Sequence, residues 1–296
     1  MLFQDLKAFV TVVESASLTR AAHTLCLTQS AVSRRIQHLE ETLGETLLDR
    51  TTRPPSPTAM GHRIYEKAVE LLRDAEHLLS IPQEDAMPSG RFRVGLTQIV
   101  ADAVVFEVVT RMRERLASLE MQIVTDWSSE LERMMLQGEL DAATLMLPAA
   151  NSPPAVLEAQ LIATLDILVV QSKQKPLMST PTTIKSLAAR EWVLNPRGCG
   201  YRAALEAAMG GRGHTLKLAV DTHGASVQMR MVAAGLGLGL IPEKLLRTTP
   251  YADELSIVSL NDFQLRMGVW VTHSRQLGNL RLANELLIDA IADGLH

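Results

Sequence analysis

Between positions 28 and 37 the chain carries Thr28, Gln29, Ser30, Ser33, Arg34, Arg35 and Gln37. These residue types read base edges: Gln pairs with adenine, Arg with guanine, and Ser serves either. At helical spacing Gln29, Ser30, Ser33, Arg34 and Gln37 fall on one polar face, opposite Val32 and Ile36. Thr28 stands where a side chain can cap such a helix. From Thr19 to Leu39 there are Arg20, Arg34 and Arg35 and no acidic residue, and Arg50, Arg53 and Arg63 follow. Arginines so placed can neutralise phosphates while their neighbours meet bases. The chemistry offered is recognition of duplex DNA. A merely solvated helix face has the same composition, so the flanking elements must discriminate.

Those elements read as almost wholly helical over residues 4–79. Leu6, Phe9, Val10 and Val13 repeat at helical spacing; Ser17 can cap a short helix with Leu18, Ala21, Ala22 and Leu25. After Thr28, Val32, Ile36, Leu39 and Leu43 form an apolar stripe that Gly44 ends. A short helix, a turn and a longer capped helix make a helix-turn-helix, whose second helix enters the major groove. Pro54, Pro55 and Pro57 exclude a helix and favour an extended loop or wing. A long helix resumes near Thr58. In it Ile64, Ala68, Leu71, Ala75 and Leu78 space out as a seam suited to pairing with another helix. Residues 81–90 read as a linker. Beyond Arg91 short strands and helices alternate, as in an α/β fold.

The composition bounds the rest. A chain of 296 residues suggests two or three compact units, and a net charge of −4 confines nucleic-acid binding to a local patch. Cys26 and Cys199 are too few and too distant to frame a disulfide scaffold, which favours a reducing cytoplasm. The N-terminus lacks the apolar run of a signal peptide, and no stretch of about 18 apolar residues predicts a membrane span. No metal site is expected: His23 and Cys26 are a lone pair, and His62, His77 and His273 are scattered. No cofactor is expected either. Gly235, Gly237 and Gly239 lie between a helix and a following strand, the reverse of a dinucleotide loop. Catalysis has no motif behind it.

Residues 17–61 resemble the LysR-type family of bacterial transcription regulators. The resemblance runs through Ser17-Leu18-Thr19-Arg20-Ala21-Ala22, Leu27 to Ile36, Leu39 to Gly44, Leu47-Leu48-Asp49-Arg50 and Thr58 to Gly61. It continues at Leu136-Gln137-Gly138-Glu139-Leu140-Asp141 and from Met231 to Pro242, and so covers essentially the whole chain. The departure is Pro54-Pro55-Ser56-Pro57, a wing stiffer than usual. The resemblance implies an α/β protein with a helix-rich winged helix-turn-helix domain at 1–60 and a dimerising linker helix at 58–80. A hinge linker at 81–90 and a two-lobed effector domain at 91–296, similar to periplasmic binding proteins, follow. The first lobe takes about 91–161 and 266–296, the second about 162–265.

The family's cleft positions fall here on Thr97, Trp127, Ser128, Leu147, Arg197, Cys199, Tyr201, Arg202, Thr222 and His223. Amides at helix starts favour anions, and Arg197 or Arg202 can add charge. The expected effector is a small carboxylate, with Trp127 and Tyr201 available for stacking on an aromatic one. A thiol switch at Cys199 has no second cysteine in this half to resolve it. The expected partners are operator duplex DNA, the effector, and a second copy in a dimer or dimer of dimers, with RNA polymerase a further candidate. Two rival readings stay open. One is an enzyme carrying a helical interaction module; the other is an architectural DNA binder that needs no ligand.

Overall fold

The protein is described by a computed structural model covering residues 2–52, 54–80, 87–210 and 216–295. It divides into two compact units, Met1–Asp85 and Ala86–His296. Arg53, and residues 81–86 of the expected linker, lie outside the described residues.

The first unit is four helices and a small wing. Helix α1 (Leu2–Ser15) buries Leu6, Phe9, Val10 and Val12, the stripe its periodicity predicts. Ser17 caps α2 (Leu18–Thr24) by accepting from the Arg20 amide at 3.2 Å. Thr28 caps α3 (Gln29–Leu43) by accepting from the Ala31 amide at 3.2 Å, and Gly44 ends α3 with φ +70°. Helix α4 (Ala59–Ser80) begins where the Thr58 hydroxyl accepts from the Gly61 amide at 2.9 Å. Gly61 admits no side chain, because an added Cβ would stand 2.1 Å from the Leu47 carbonyl oxygen. The wing pairs β1 (Leu48–Asp49) antiparallel with β2 (Ser56–Pro57). Asp49 closes the turn between them, accepting from the Thr51 amide at 2.8 Å and the Thr51 hydroxyl at 2.6 Å.

The expected seam on α4 is divided. Ala68 is buried in the unit's own core with Phe9, Val32, Ile36 and Leu39, and Ile64 packs against that core. Leu71 and Leu78 are exposed, at 44% and 66%. Helical spacing puts these residues on one stripe; α1, packing on the first half of that stripe, leaves only the second half free.

The second unit is built on a mixed seven-stranded sheet of order β10-β6-β11-β5-β3-β4, with β9 also on β6. Its strands are β3 (Gly90–Leu96), β4 (Leu119–Thr125), β5 (Ala142–Pro148), β6 (Glu158–Ser172), β9 (Gly239–Pro242), β10 (Leu255–Ile257) and β11 (Leu265–His273). The pair β7 (Glu191–Leu194) and β8 (Lys217–Asp221) is parallel. A bridge from Trp192 to Leu238 ties it toward β9. Helices α5 (Gln98–Arg115), α6 (Ser128–Leu136), α7 (Gly200–Ala208), α8 (Ala225–Ala233), α9 (Glu243–Thr248) and α10 (Arg281–Leu295) pack around these sheets.

Three differences from the sequence expectation have local causes. Sequence predicts a strand at Leu165 to Val170, yet β6 starts at Glu158 and runs unbroken past residue 162, where the second lobe was expected to begin. Its first half is largely exposed, and it pairs antiparallel with β11 across a register shift between Val269 and Trp270. The expected helix at 184–189 is a 3-10 turn, Ile184–Leu187, whose first amide donates to Asp262 at 2.8 Å. The six residues of α9 and three of β10 were too short to show a period. The glycine run behaves as a close approach: a Cβ on Gly237 would lie 2.6 Å from the Glu191 carbonyl oxygen. There Leu238 exchanges 2.8 Å hydrogen bonds with Glu191 and Val193.

Candidate nucleic-acid interface and ligand cleft

The start of α3 presents Gln29, Ser30, Arg34 and Gln37 exposed, with Ser33 half-buried. Thr28 is occupied as the cap and lies 3.0 Å from the Ser30 hydroxyl. Arg35 is tied back to α1, its guanidinium donating to Gln4 Oε1 at 2.9 Å. Arg50 donates to Glu40 at 3.0 Å. Glu40 also accepts from the Leu47 amide at 2.8 Å and the Leu48 amide at 3.2 Å, so one carboxylate fastens the wing to α3. Sequence reasoning missed Glu40 as a positioning group, since nothing in local spacing shows that Leu47 and Leu48 come back to it. Beneath this face His38 Nδ1 meets the buried Asp5 carboxylate at 2.9 Å, pinning α3 to α1.

In the second unit a cleft with about 510 Å³ of empty space, its mouth included, is lined by Thr97, Trp127, Ser128, Cys199 and Tyr201 from the expected set. It is also lined by Gln98, Ile99, Met146, Asn195, Gly200, Gly224, Ala225, Gln228, Leu240 and Pro242. The elements explain the assembly. Thr97, Trp127, Cys199 and Gly224 are the residues just before α5, α6, α7 and α8, and none makes a side-chain cap bond. Four helix starts therefore meet at one cavity. Gly224 enters α8 at φ +87°, a backbone that a side chain would strain. No Asp, Glu, Lys, Arg or His is among the described residues lining the cleft.

The remaining expected residues lie elsewhere. Leu147 does not line the cleft; its neighbour Met146 does, because successive strand residues face opposite sides. Arg197 is exposed and outside the lining. Arg202 is buried but turned from the cleft, donating to Glu206 at 2.9 Å, the Asn195 carbonyl at 3.2 Å and Asp221 at 3.3 Å. The charge expected from these two arginines is thus absent from the lining. Thr222 is also outside it, and exposed His223 borders it only through Trp127, their ring centroids 5.8 Å apart.

The cleft's polar groups are largely engaged. Ser128 donates to the Met146 carbonyl at 3.2 Å and accepts from its amide at 2.9 Å. The Thr97 amide donates to Thr144 Oγ1 at 2.8 Å. Gln228 donates to the Val193 carbonyl at 2.7 Å. Burial pushes the Cys199 thiol up from its ordinary pKa, which works against a reactive thiolate. Burial raises Tyr201 still further, so its hydroxyl stays neutral. Among the described residues no group of three or more His, Cys, Asp or Glu is placed to hold a metal ion.

The LysR substrate binding domain family matches residues 85–295, and the lysR family of bacterial regulatory helix-turn-helix proteins matches residues 3–62. The chain belongs to the LysR family. It is a DNA-binding transcription regulator with an effector-binding domain. This LysR-family chain is 26% identical over 273 residues to the uncharacterized HTH-type transcriptional regulator YeiE of Escherichia coli, covering 92% of the chain and 91% of the relative. It is 31% identical over 142 residues to the HTH-type transcriptional regulator BenM of Acinetobacter baylyi, 48% of the chain and 47% of BenM. In fold it matches a full-length OxyR variant from Pseudomonas aeruginosa at TM-score 0.74 and 20% identity, over 98% of this chain and 94% of that one. It also matches CbnR complexed with target DNA at TM-score 0.62 and 18% identity, over 99% and 100% of the two chains. Among the described residues no helix is long and apolar enough to cross a membrane.

Proposed function

We propose that this LysR-family regulator reads operator DNA with the exposed start of α3 and responds to a small anion held in the cleft of its second unit. The carrying observation is the meeting of four helix N-termini, those of α5, α6, α7 and α8, at a cavity whose described lining has no carboxylate. Each N-terminus acts as roughly half a positive charge, with amides aimed outward. A compact carboxylate meets those amides without an arginine. Trp127 supports an effector with a flat apolar part.

On the DNA side, Gln29, Ser30, Arg34 and Gln37 are the base-reading candidates, and Arg50 can exchange Glu40 for a phosphate. Exposed Leu71 and Leu78 support self-association through α4, as a dimer or dimer of dimers offering paired reading helices to a two-fold operator. RNA polymerase is a further candidate partner, and the cytoplasm is the compartment such a regulator works in.

Thermal unfolding with a panel of small carboxylic acids and their methyl esters tests the anion reading. A ligand at about 100 times its Kd stabilises by about 2.7 kcal/mol. Acids should stabilise and their esters should not. Esters that stabilise as well as the acids would refute it.

A further inference from the structure

We propose that His38 is a further phosphate contact of the DNA-reading helix, made only when its imidazole carries a second proton. The proposal rests on the reading of α3 as the helix that enters the major groove.

Helical spacing sets His38 one turn after Arg34 and next to Gln37, at the edge of the reading face. A helix in the groove meets bases along its centre and the two backbones along its flanks. The His38 side chain is half-exposed, at 44%. Its Nδ1 lies 2.9 Å from the Asp5 carboxylate of α1, a residue only 3% exposed. Turning the ring over would set a carbon against that carboxylate, so Asp5 decides which nitrogen faces inward. No hydrogen bond among the described residues uses Nε2.

An anionic acceptor takes the Nδ1 proton, so the neutral ring presents a bare lone pair at Nε2. A phosphate oxygen is repelled by that lone pair. A second proton makes Nε2 a donor on a cation, the group a phosphate binds. DNA therefore favours the protonated ring, and by linkage its affinity rises as pH falls through the imidazole range.

The charges around His38 are named by element. On α3, Arg34 and Glu41 are exposed one turn to either side, Arg35 is tied to Gln4, and Glu40 is turned to the wing. On α1, Lys7 and Glu14 are exposed and fall on the side of the helix away from Asp5. On α2, Arg20 donates to the Ser15 carbonyl and His23 is exposed. All but His23 keep one charge across the imidazole range.

Salt titrations of duplex binding by the full chain, at about pH 6 and about pH 8, test this with the tightest duplex selected from a random pool as the probe. The slope of log affinity against log salt should be steeper by about 0.9 per bound protomer at the lower pH, a gain of up to about eightfold in affinity near 0.1 M salt. His38→Gln should remove that difference. A chain carrying His23→Gln, His62→Gln and His77→Gln keeps His38 as the one histidine before residue 86. It should retain the difference, and it serves if the His38 variant does not fold. Equal slopes at the two pH values in the unaltered chain, a difference that survives His38→Gln, or one lost in the triple variant would each overturn the proposal. Arg34→Ala that weakens binding at both pH values would then leave α3 standing as the reading helix. Arg34→Ala without effect at either pH would overturn that reading as well.

Discussion

Glu40→Ala removes the joint between the reading helix and the wing, and its cost can be worked from the hydrogen bonds it breaks. The carboxylate accepts from the amides of Leu47 and Leu48, both buried, and from Arg50. Hydrogen bonds to a charged group contribute about 1.5–3 kcal/mol each. The Glu40 side chain is 14% exposed, so water reaches part of the gap and the lower end applies, about 3 kcal/mol for the two amides. For a unit of this size that is a fall in Tm of about 12 °C or more. Glu40→Gln keeps an acceptor for the amides and loses only a half-exposed ion pair, about 0–1 kcal/mol. Circular dichroism melts of both variants separate these cases. The glutamine variant also frees Arg50. If Arg50 then reaches a phosphate, the slope of log affinity against log salt for duplex DNA should steepen by about 0.9. Equal Tm losses for alanine and glutamine would refute the hinge role of the carboxylate. An unchanged salt slope would remove Arg50 from the phosphate contacts.

Three further outcomes are expected. Arg34→Ala, on an exposed side chain of α3, should weaken binding to a selected operator by about 1–3 kcal/mol and relax one base position, read by competitive site selection. Arg202→Ala should cost about 2 kcal/mol of stability in urea, because the buried Asn195 carbonyl loses its donor. The preference for acids over esters should survive it, since Arg202 does not line the cleft. Leu71→Glu should dissociate the assembly in sedimentation velocity while each protomer keeps its helical circular dichroism spectrum, because Leu71 lies outside the unit's own core.

Much of the first unit was legible because its signals are local. Caps at Ser17 and Thr28, the stop at Gly44 and the stripes on α1 and α3 each involve residues within a turn or two. The second unit was legible as an alternation of strands and helices, with short or exposed pieces lost. The family resemblance pointed to Thr97, Trp127, Ser128, Cys199 and Tyr201, which line the cleft, and to Leu147, one residue from Met146, which does. Asn195 and Gln228 gave no signal, because a single polar residue beside a strand or within a helix looks the same whether it faces a cavity or solvent.

The sequence alone determined which residues share the face of α3, where the capped helices of the first unit begin, and to which family the pattern points. All of these rest on short-range geometry and ordered motifs. Only tertiary structure decided where charge and polarity act. It gathered four helix starts, 97 to 224 in the chain, around one cavity. It drew Arg202 away to Glu206 and Asp221 and Arg35 to Gln4. A long side chain goes to the acceptor that folding brings within reach, and the partners here lie on other elements whose approach no local spacing encodes.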